Sequence, residues 1–432
     1  MIQTIKKAWG IPELRKKIIF TALILLIFRI GNAIPVPYVN TDLLSSYLEG
    51  MSTTVLGLYN VMSGGAFAQA TVFALGVQPY INSSIIIQLL TIAIPALERL
   101  ARDGGEEGKK KIQSITRYAT VAIAILQGWG YYMLMKNYGI LTEKSFWVAL
   151  VIIASFIAGS SFVMWMGEQI NDKGVGNGIS IILFAGIVAR LPVTFGTVWQ
   201  YMQLGMESAS TAGQYLVLAP LFVVLFLVVI WVIVFMNEAE RRIPVQYTRR
   251  MIGRKMYGGS STYLPLKINM SGVMPVIFAS SILFIPQFIQ FFWNPSEGFG
   301  RALLDAFSSS GWLYVVLYFF LILMFAYFYM SIQYNPLEMA NNLRQNNGTI
   351  PGIRPGKPTA DFIAKILSKV TLIGALFLAF VALVPIIYTN VTGMYGLSMG
   401  GTSIIIIVGV ALETVKQLES QMMLRHYKGF LD

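Results

Sequence analysis

The side chains able to carry out covalent or metal chemistry are few. There is no cysteine, and the one histidine, His426, stands close to the C-terminal end. Disulfides, thiolate metal sites and cysteine nucleophiles are excluded, and zinc or Ser-His chemistry loses its usual ligand and base. Glu168, Asp172 and Glu238 could serve an enzyme working on lipids at an interface, yet each lies beside basic residues, where a solvated loop charge is the commoner role. The segment GGEEGK (104–109) lacks the spacing and the Ser/Thr of a P-loop. Gly174, Gly176 and Gly178 lack the preceding strand and the spacing of a dinucleotide fingerprint, and read as a turn that opens the next helix. No catalytic residue, metal site or cofactor is expected.

The elements that would have to position any site are membrane helices. Of 432 residues, 56% are hydrophobic and only 12% charged, too apolar for an ordinary soluble surface. Apolar runs come in lengths of about twenty, which suits α-helices and not the alternating segments of about ten in a β-barrel. Eight runs are clear: 18–34, 76–95, 117–135, 147–166, 215–236, 272–293, 311–333 and 367–388. Two more, 179–188 and 404–412, are nearer ten residues and would be short spans. With all ten crossing, most of the 32 Lys and Arg fall on one face, leaving Lys136, Lys144, Arg190 and Arg301 on the other and Arg29 inside the first span. Basic loops mark the cytoplasmic side, so both termini are expected there, and omitting the run 179–188 would put the basic loop after Met236 on the wrong side. The first helix lacks a cleavage pattern and reads as retained. Arg29 reads as an interface anchor.

Span interiors hold essentially no acidic residue or histidine. An ion-coupled pump or a secondary transporter of small solutes, the main rival reading, needs an ion-binding site at membrane depth. A passive conduit or a structural subunit fits better, and its energy must come from elsewhere.

Several features look purposeful. The external loop 31–73 has no Lys or Arg and contains LGLYNVMSGGAFAQA (56–70), which is either a re-entrant half-helix or an external surface loop. Ile81 and Ile85, and again Leu183 and Ile187, share helix faces four residues apart. Such stripes are usually packing, but a ring of them would make a hydrophobic constriction that excludes ions by dewetting. Asn82, Gln127 and Asn269 are amides near these helices, where a local interhelical hydrogen bond contributes about 0.6 kcal/mol; if all three meet, they form a separable latch. Two loops, 237–267 and 335–369, are longer than connection requires, with basic Pro/Gly-shaped tips that suit an RNA phosphate backbone or an acidic protein face.

The stretches LGVQPYINSSIIIQLL, WMGEQINDKGVGNGISII, RRIPVQYTRR, YLPLKINMSGVMP and GIRPGKPT, in this order along nearly the whole chain, resemble the bacterial SecY family, the channel subunits of the Sec protein translocase. The resemblance implies an all-α polytopic membrane protein, with ten transmembrane helices in two pseudo-symmetric inverted five-helix halves, 1–205 and 206–432, around an hourglass pore. It implies a passive protein-conducting channel that passes unfolded secretory polypeptides and releases apolar segments laterally into the bacterial plasma membrane. Matched motif by motif, the pore ring falls on Ile81, Ile85, Leu183, Ile187, Ile277 and Ile406, with Leu183 where Ile is frequent. The plug covers about 57–72, with Tyr59, Asn60, Val61, Met62, Ser63, Gly64, Gly65, Ala66, Phe67 and Ala68 at its centre. Asn82, Gln127 and Asn269 match the polar cluster of the lateral gate. Arg241, Arg242, Arg249, Arg250, Arg354 and Lys357 match the docking surface for the SecA motor and the ribosome. Implied partners are SecE, SecG, SecA, the ribosome, the translocating polypeptide with its signal sequence, and membrane lipid; no cofactor is implied.

Overall fold

The computed structural model describes residues 2–49, 55–102, 104–207, 213–247, 250–252, 255–257, 261–292, 312–394 and 400–428. Fifteen helices and five short strands are described. The first is α1 (Ile2–Trp9), and Pro12 then opens α2 (Pro12–Gly31) at a position where its missing N–H costs nothing. Outside the first expected span lie α3 (Thr41–Glu49) and α4 (Val55–Met62). Helix α5 (Gln78–Ala93) stops at Ile94, which is extended because Pro95 disfavours helical geometry in the residue before it. The chain therefore bends by 106° into α6 (Pro95–Arg102).

Long helices follow: α7 (Gly105–Asn137), α8 (Phe146–Lys173), α9 (Gly178–Glu207) and α10 (Tyr215–Glu238). After a β-ribbon come α11 (Met274–Phe292) and α12 (Trp312–Gln333). Helix α13 (Pro336–Gln345) is capped by Asn335, whose Oδ1 accepts from the Leu337 N–H at 3.1 Å. The last two are α14 (Lys357–Thr392) and α15 (Gly401–Lys428).

Six described helical runs are long and apolar enough to cross a bilayer: Phe146–Lys173, Gly178–Glu207, Tyr215–Glu238, Leu313–Gln345, Lys357–Thr392 and Gly401–Met423. The bent pair α5–α6 is a seventh candidate. Helices α2, α7 and α11 occupy the first, third and seventh expected segments. The chain is thus a multi-pass helical membrane protein.

Two expectations of length are corrected. The fifth and tenth segments are not short helices, because α9 has 30 residues and α15 has 28. Arg190 and Pro192 interrupt the hydropathy of α9 without ending the helix, and polar residues after Leu412 do the same in α15.

Each part of the chain packs mainly with its neighbours. Helix α7 lies between α5 and α8, α8 also packs on α9, and α2 packs on α8 and α9. Likewise α12 packs between α11 and α14, while α15 packs on α10 and α14. Across the centre α11 meets α7 and the short α4, and α15 and α10 meet α9. One buried apolar cluster runs through all of these.

The first long loop is an ordered ribbon. Strand β1 (Glu240–Tyr247) pairs antiparallel with β4 (Ser261–Lys267), from Glu240 opposite Lys267 to Gln246 opposite Ser261. At its tip β2 (Arg250–Ile252) pairs with β3 (Lys255–Tyr257). Ile243 and Val245 are buried while Arg242, Pro244 and Gln246 are exposed, the alternation of a strand with one covered face. The second long loop joins it, since β5 (Gly348–Thr349) pairs with β1. Ile243, Leu266, Ile350, Ile363 and Leu367 make a small core beneath them, on the N-terminal part of α14.

Candidate pore, seal and gate

Helices α5, α9, α11 and α15 bring the six candidate ring residues into one apolar cluster, all buried. Ile81, Ile85, Leu183, Ile277 and Ile406 line a single cavity of about 750 Å³. Polar side chains line it too, among them Asn171, Asn177, Asn237, Asn269, Lys267 and Glu413. Pro265, Leu266 and Lys267 of β4 border it, so it lies on the face that carries the basic ribbon. The cavity thus joins polar groups that can hold water to an aliphatic floor made by the five candidate ring residues. Ile187, one turn beyond Leu183 on α9, is fully buried.

Most of segment 59–70 lies inside the protein, with Gln69 exposed. Tyr59, Val61, Met62, Ser63, Gly65, Ala66 and Phe67 are buried, and Asn60, Gly64 and Ala68 partly so, which excludes the external-loop reading. After α4 the chain turns through Gly64 and Gly65 with φ of +71° and +93°, values natural to glycine. The Phe67 ring stacks on Tyr131 of α7 at 4.3 Å, and the Tyr131 hydroxyl donates to the Phe67 carbonyl. The return strand is tied to 34–36 by Val36 N–H to Ala70 O at 2.9 Å and Val72 N–H to Ile34 O at 3.0 Å. Gly159 of α8 makes room for it, since a Cβ there would stand 1.9 Å from the Val72 carbonyl oxygen.

Contact between this segment and the floor is made by backbone. A Cβ on Gly186 would come within 2.5 Å of the Met62 carbonyl oxygen and 3.3 Å of the Gly64 nitrogen. Gly186 lies between Leu183 and Ile187 on α9, so one helix turn bears on both the candidate ring and the candidate plug.

The three gate amides divide. Gln127 Nε2 donates to the Tyr59 hydroxyl at 3.2 Å, and the amides of Asn82 and Gln78 also adjoin that hydroxyl. Asn269 makes a different bond: its Nδ2 donates to Asn237 Oδ1 at 2.7 Å, on the cavity wall. The hub joining Asn82 and Gln127 is therefore Tyr59 of the candidate plug, whose ring also stacks on Phe284 of α11 at 4.5 Å. Phe284 carried no sequence signal of its own; its spacing of seven from Ile277 places it two turns further along α11.

A half-buried pair also escaped the sequence reading. Glu168 accepts from Arg117 Nε at 2.7 Å and from Gln113 Nε2 at 3.1 Å, joining α7 to α8. Its side chain is 11% exposed, so Glu168 is no solvated loop charge but an anchor between helices.

On the basic face Arg241, Arg242, Arg354 and Lys357 are exposed. Arg242 Nε pairs with Glu240 at 2.7 Å. Arg354 sits on a tip shaped by Gly352 (φ +79°) and Gly356 (φ +100°), and its carbonyl accepts from Thr359 Oγ1 at 2.9 Å. Arg250 is in β2, its side chain outside the described residues, and Arg249 lies wholly outside them.

Comparison with known proteins agrees with this geometry. The chain is 42% identical over 448 residues to the protein translocase subunit SecY of Streptomyces scabiei, covering all of both. It is 44% identical over 447 residues to that of Streptomyces griseus, again covering both entirely, and 42% identical over 453 residues to that of Corynebacterium glutamicum, covering 99% of it. Among solved structures it resembles one described as a protein-conducting channel (TM-score 0.61, 17% identity, 94% of this chain and 92% of that one). A second concerns the plug domain of a SecY protein (TM-score 0.65, 17% identity, 94% and 92%). The canine Sec61 channel bound to a ribosome is similar in the same way (TM-score 0.59, 15% identity, 94% and 92%). The sequence profile named SecY matches residues 71–415, and with relatives this similar over full length the chain belongs to the SecY family.

Proposed function

We propose that the chain is the conducting subunit of a protein translocase, a passive channel for unfolded polypeptides. The observation that carries this reading is the convergence of Ile81, Ile85, Leu183, Ile277 and Ile406 beneath one polar-walled cavity. A polypeptide in transit exposes unpaired backbone groups, so it needs wet funnels and only a short, compliant apolar seal. Halves 1–205 and 206–432 form the two sides of the pore, each with five spans. In the resting channel the segment 57–72 closes the outer funnel. Parting of α5 and α11 would let an apolar segment partition into lipid, where a central charge costs about 2.5–3.5 kcal/mol and Leu or Ile gains.

The chain holds no nucleotide motif, so work is supplied by partners. The exposed Arg241, Arg242, Arg354 and Lys357 suit docking of a motor or a ribosome, and a ribosome-bound Sec61 channel shares the fold. The partners on this reading are SecE, SecG, SecA and the ribosome. The basic face is cytoplasmic, with both termini on that side of the plasma membrane. The test is reconstitution of the full chain with its partner subunits into vesicles, followed by protease protection of a secretory precursor. Protection that needs this chain supports the reading; a vesicle population that takes up small solutes but no precursor would replace it with the transporter.

A further inference from the structure

Among the few basic residues that depart from the charge sorting of this chain are Arg29, inside the first span, and Arg190, on the face opposite the basic loops. A cation in either place opposes the usual orientation bias. Far apart in sequence, they converge on one turn. Arg29 of α2 points Nη1 at the Gly64 carbonyl oxygen, 3.4 Å away. Arg190 of α9 lies against the next residue, for a Cβ built on Gly65 would stand 3.2 Å from its Nη1.

The turn they flank ends α4, where Ser63 and Gly64 bond back to Tyr59 and Val61. The C-terminal end of a helix carries partial negative charge and carbonyls without intrahelical partners, and cations are favourable there. Guanidinium suits the place because it stays charged and presents several donors in one plane. Asn32 completes the contact, its Nδ2 donating to the Ser63 carbonyl at 3.0 Å. The left-handed φ of Gly64 and Gly65 keeps the turn free of side chains, so the guanidinium groups can approach its backbone.

We propose that Arg29 and Arg190 are positioning residues for the plug: they bracket its Gly64–Gly65 turn and set how often the resting channel opens. This rests on the reading of 57–72 as the plug. Neither arginine is needed for the aliphatic ring or for the basic docking face, so their loss should affect closure and leave transport capacity intact. As the plug leaves, Arg29 loses its backbone acceptor and Arg190 its place beside Gly65 together, which makes the departure a concerted step.

The test uses the full chain with its partner subunits in planar bilayers, without precursor. Arg29→Gln and Arg190→Gln should each raise open probability several-fold, the order expected from removing one cation beside the C-terminal turn of a helix. Precursor translocation should stay at or above the wild-type rate, which also shows that the variants fold. As a second measurement, Asn32→Cys and Ser63→Cys are joined by oxidation in the Arg29→Gln/Arg190→Gln background, and closure of that disulfide should return open probability to the wild-type value. Unchanged open probability in the arginine variants, or a leak that survives the disulfide, overturns the proposal. The same disulfide with both arginines present separates the two readings. If it fails to block precursor, the plug assignment falls; if it blocks precursor while the arginine variants stay quiet, only the arginine proposal falls.

Discussion

The ring of Tyr59 lies 4.5 Å from that of Phe284, stacked at 23°. One residue belongs to α4, in the proposed plug, and the other to α11, so on the proposed reading closing the outer funnel and holding the gate helix are carried in part by the same contact. The Tyr59 hydroxyl turns the other way, to Gln127 of α7. Displacing Tyr59 must release both sides of the seam together.

Tyr59→Phe and Tyr59→Ala separate these two roles. The first keeps the stack and removes the hydroxyl bonds, about 1 kcal/mol. The second also removes the ring and its aromatic pairing, a further ~0.5–1.5 kcal/mol beyond lost burial. Ion conductance of the resting channel should rise slightly in the first and strongly in the second. Equal conductance in the two variants would show that the stack on Phe284 does not hold the seam.

Gly186→Leu is expected to push the plug outward. The Met62 carbonyl is backbone and cannot swing aside, and a Cβ at Gly186 would stand 2.5 Å from it. Crosslinking or fluorescence quenching at the plug should report a displaced segment, with higher resting conductance. A closed, wild-type-like channel in this variant would place the contact elsewhere.

How far the sequence foretold these contacts depends on what each rests on. Span positions follow from solvation of the chain by lipid, which acts on local composition, so eight runs could be read directly. The ends of α9 and α15 could not, because helix continuation past Arg190 or Leu412 is decided by packing and not by hydropathy. The strand alternation of RRIPVQY was visible, since Ile243 and Val245 stand two apart, yet its charge drew attention to docking and away from pairing. The candidate ring rests on resemblance, because a spacing of four on one helix cannot say which face meets another. Asn269 shows the limit of matching residue by residue: its amide pairs with Asn237, a partner 32 positions away that no local pattern names.

Removal of the Glu168 carboxylate should weaken the N-terminal half. Breaking a buried pair costs about 3–5 kcal/mol when both groups are enclosed, and less here because Arg117 is 46% exposed. Glu168→Ala should therefore lower the thermal midpoint in detergent more than Glu107→Ala, whose pairing with Lys111 is an exposed i,i+4 contact. Equal midpoints would deny Glu168 its anchoring role.

Charge reversal at the tip tests the docking face. Arg354 is exposed and its side chain supports no described core contact, so Arg354→Glu should leave the protein inserted while slowing motor-driven translocation several-fold, more at low than at high salt. An unchanged rate would remove Arg354 from that surface.

The central claim, that the aliphatic floor is the passage for polypeptide, is open to one direct measurement because the chain has no native cysteine. Ile277→Cys, at the base of the funnel, is paired with a single cysteine in a secretory precursor stalled during translocation. The account predicts a disulfide between them, and the same at Ile85, with none at the exposed Val391. Absence of a crosslink at every ring position, in a channel that still carries the precursor across, would contradict it.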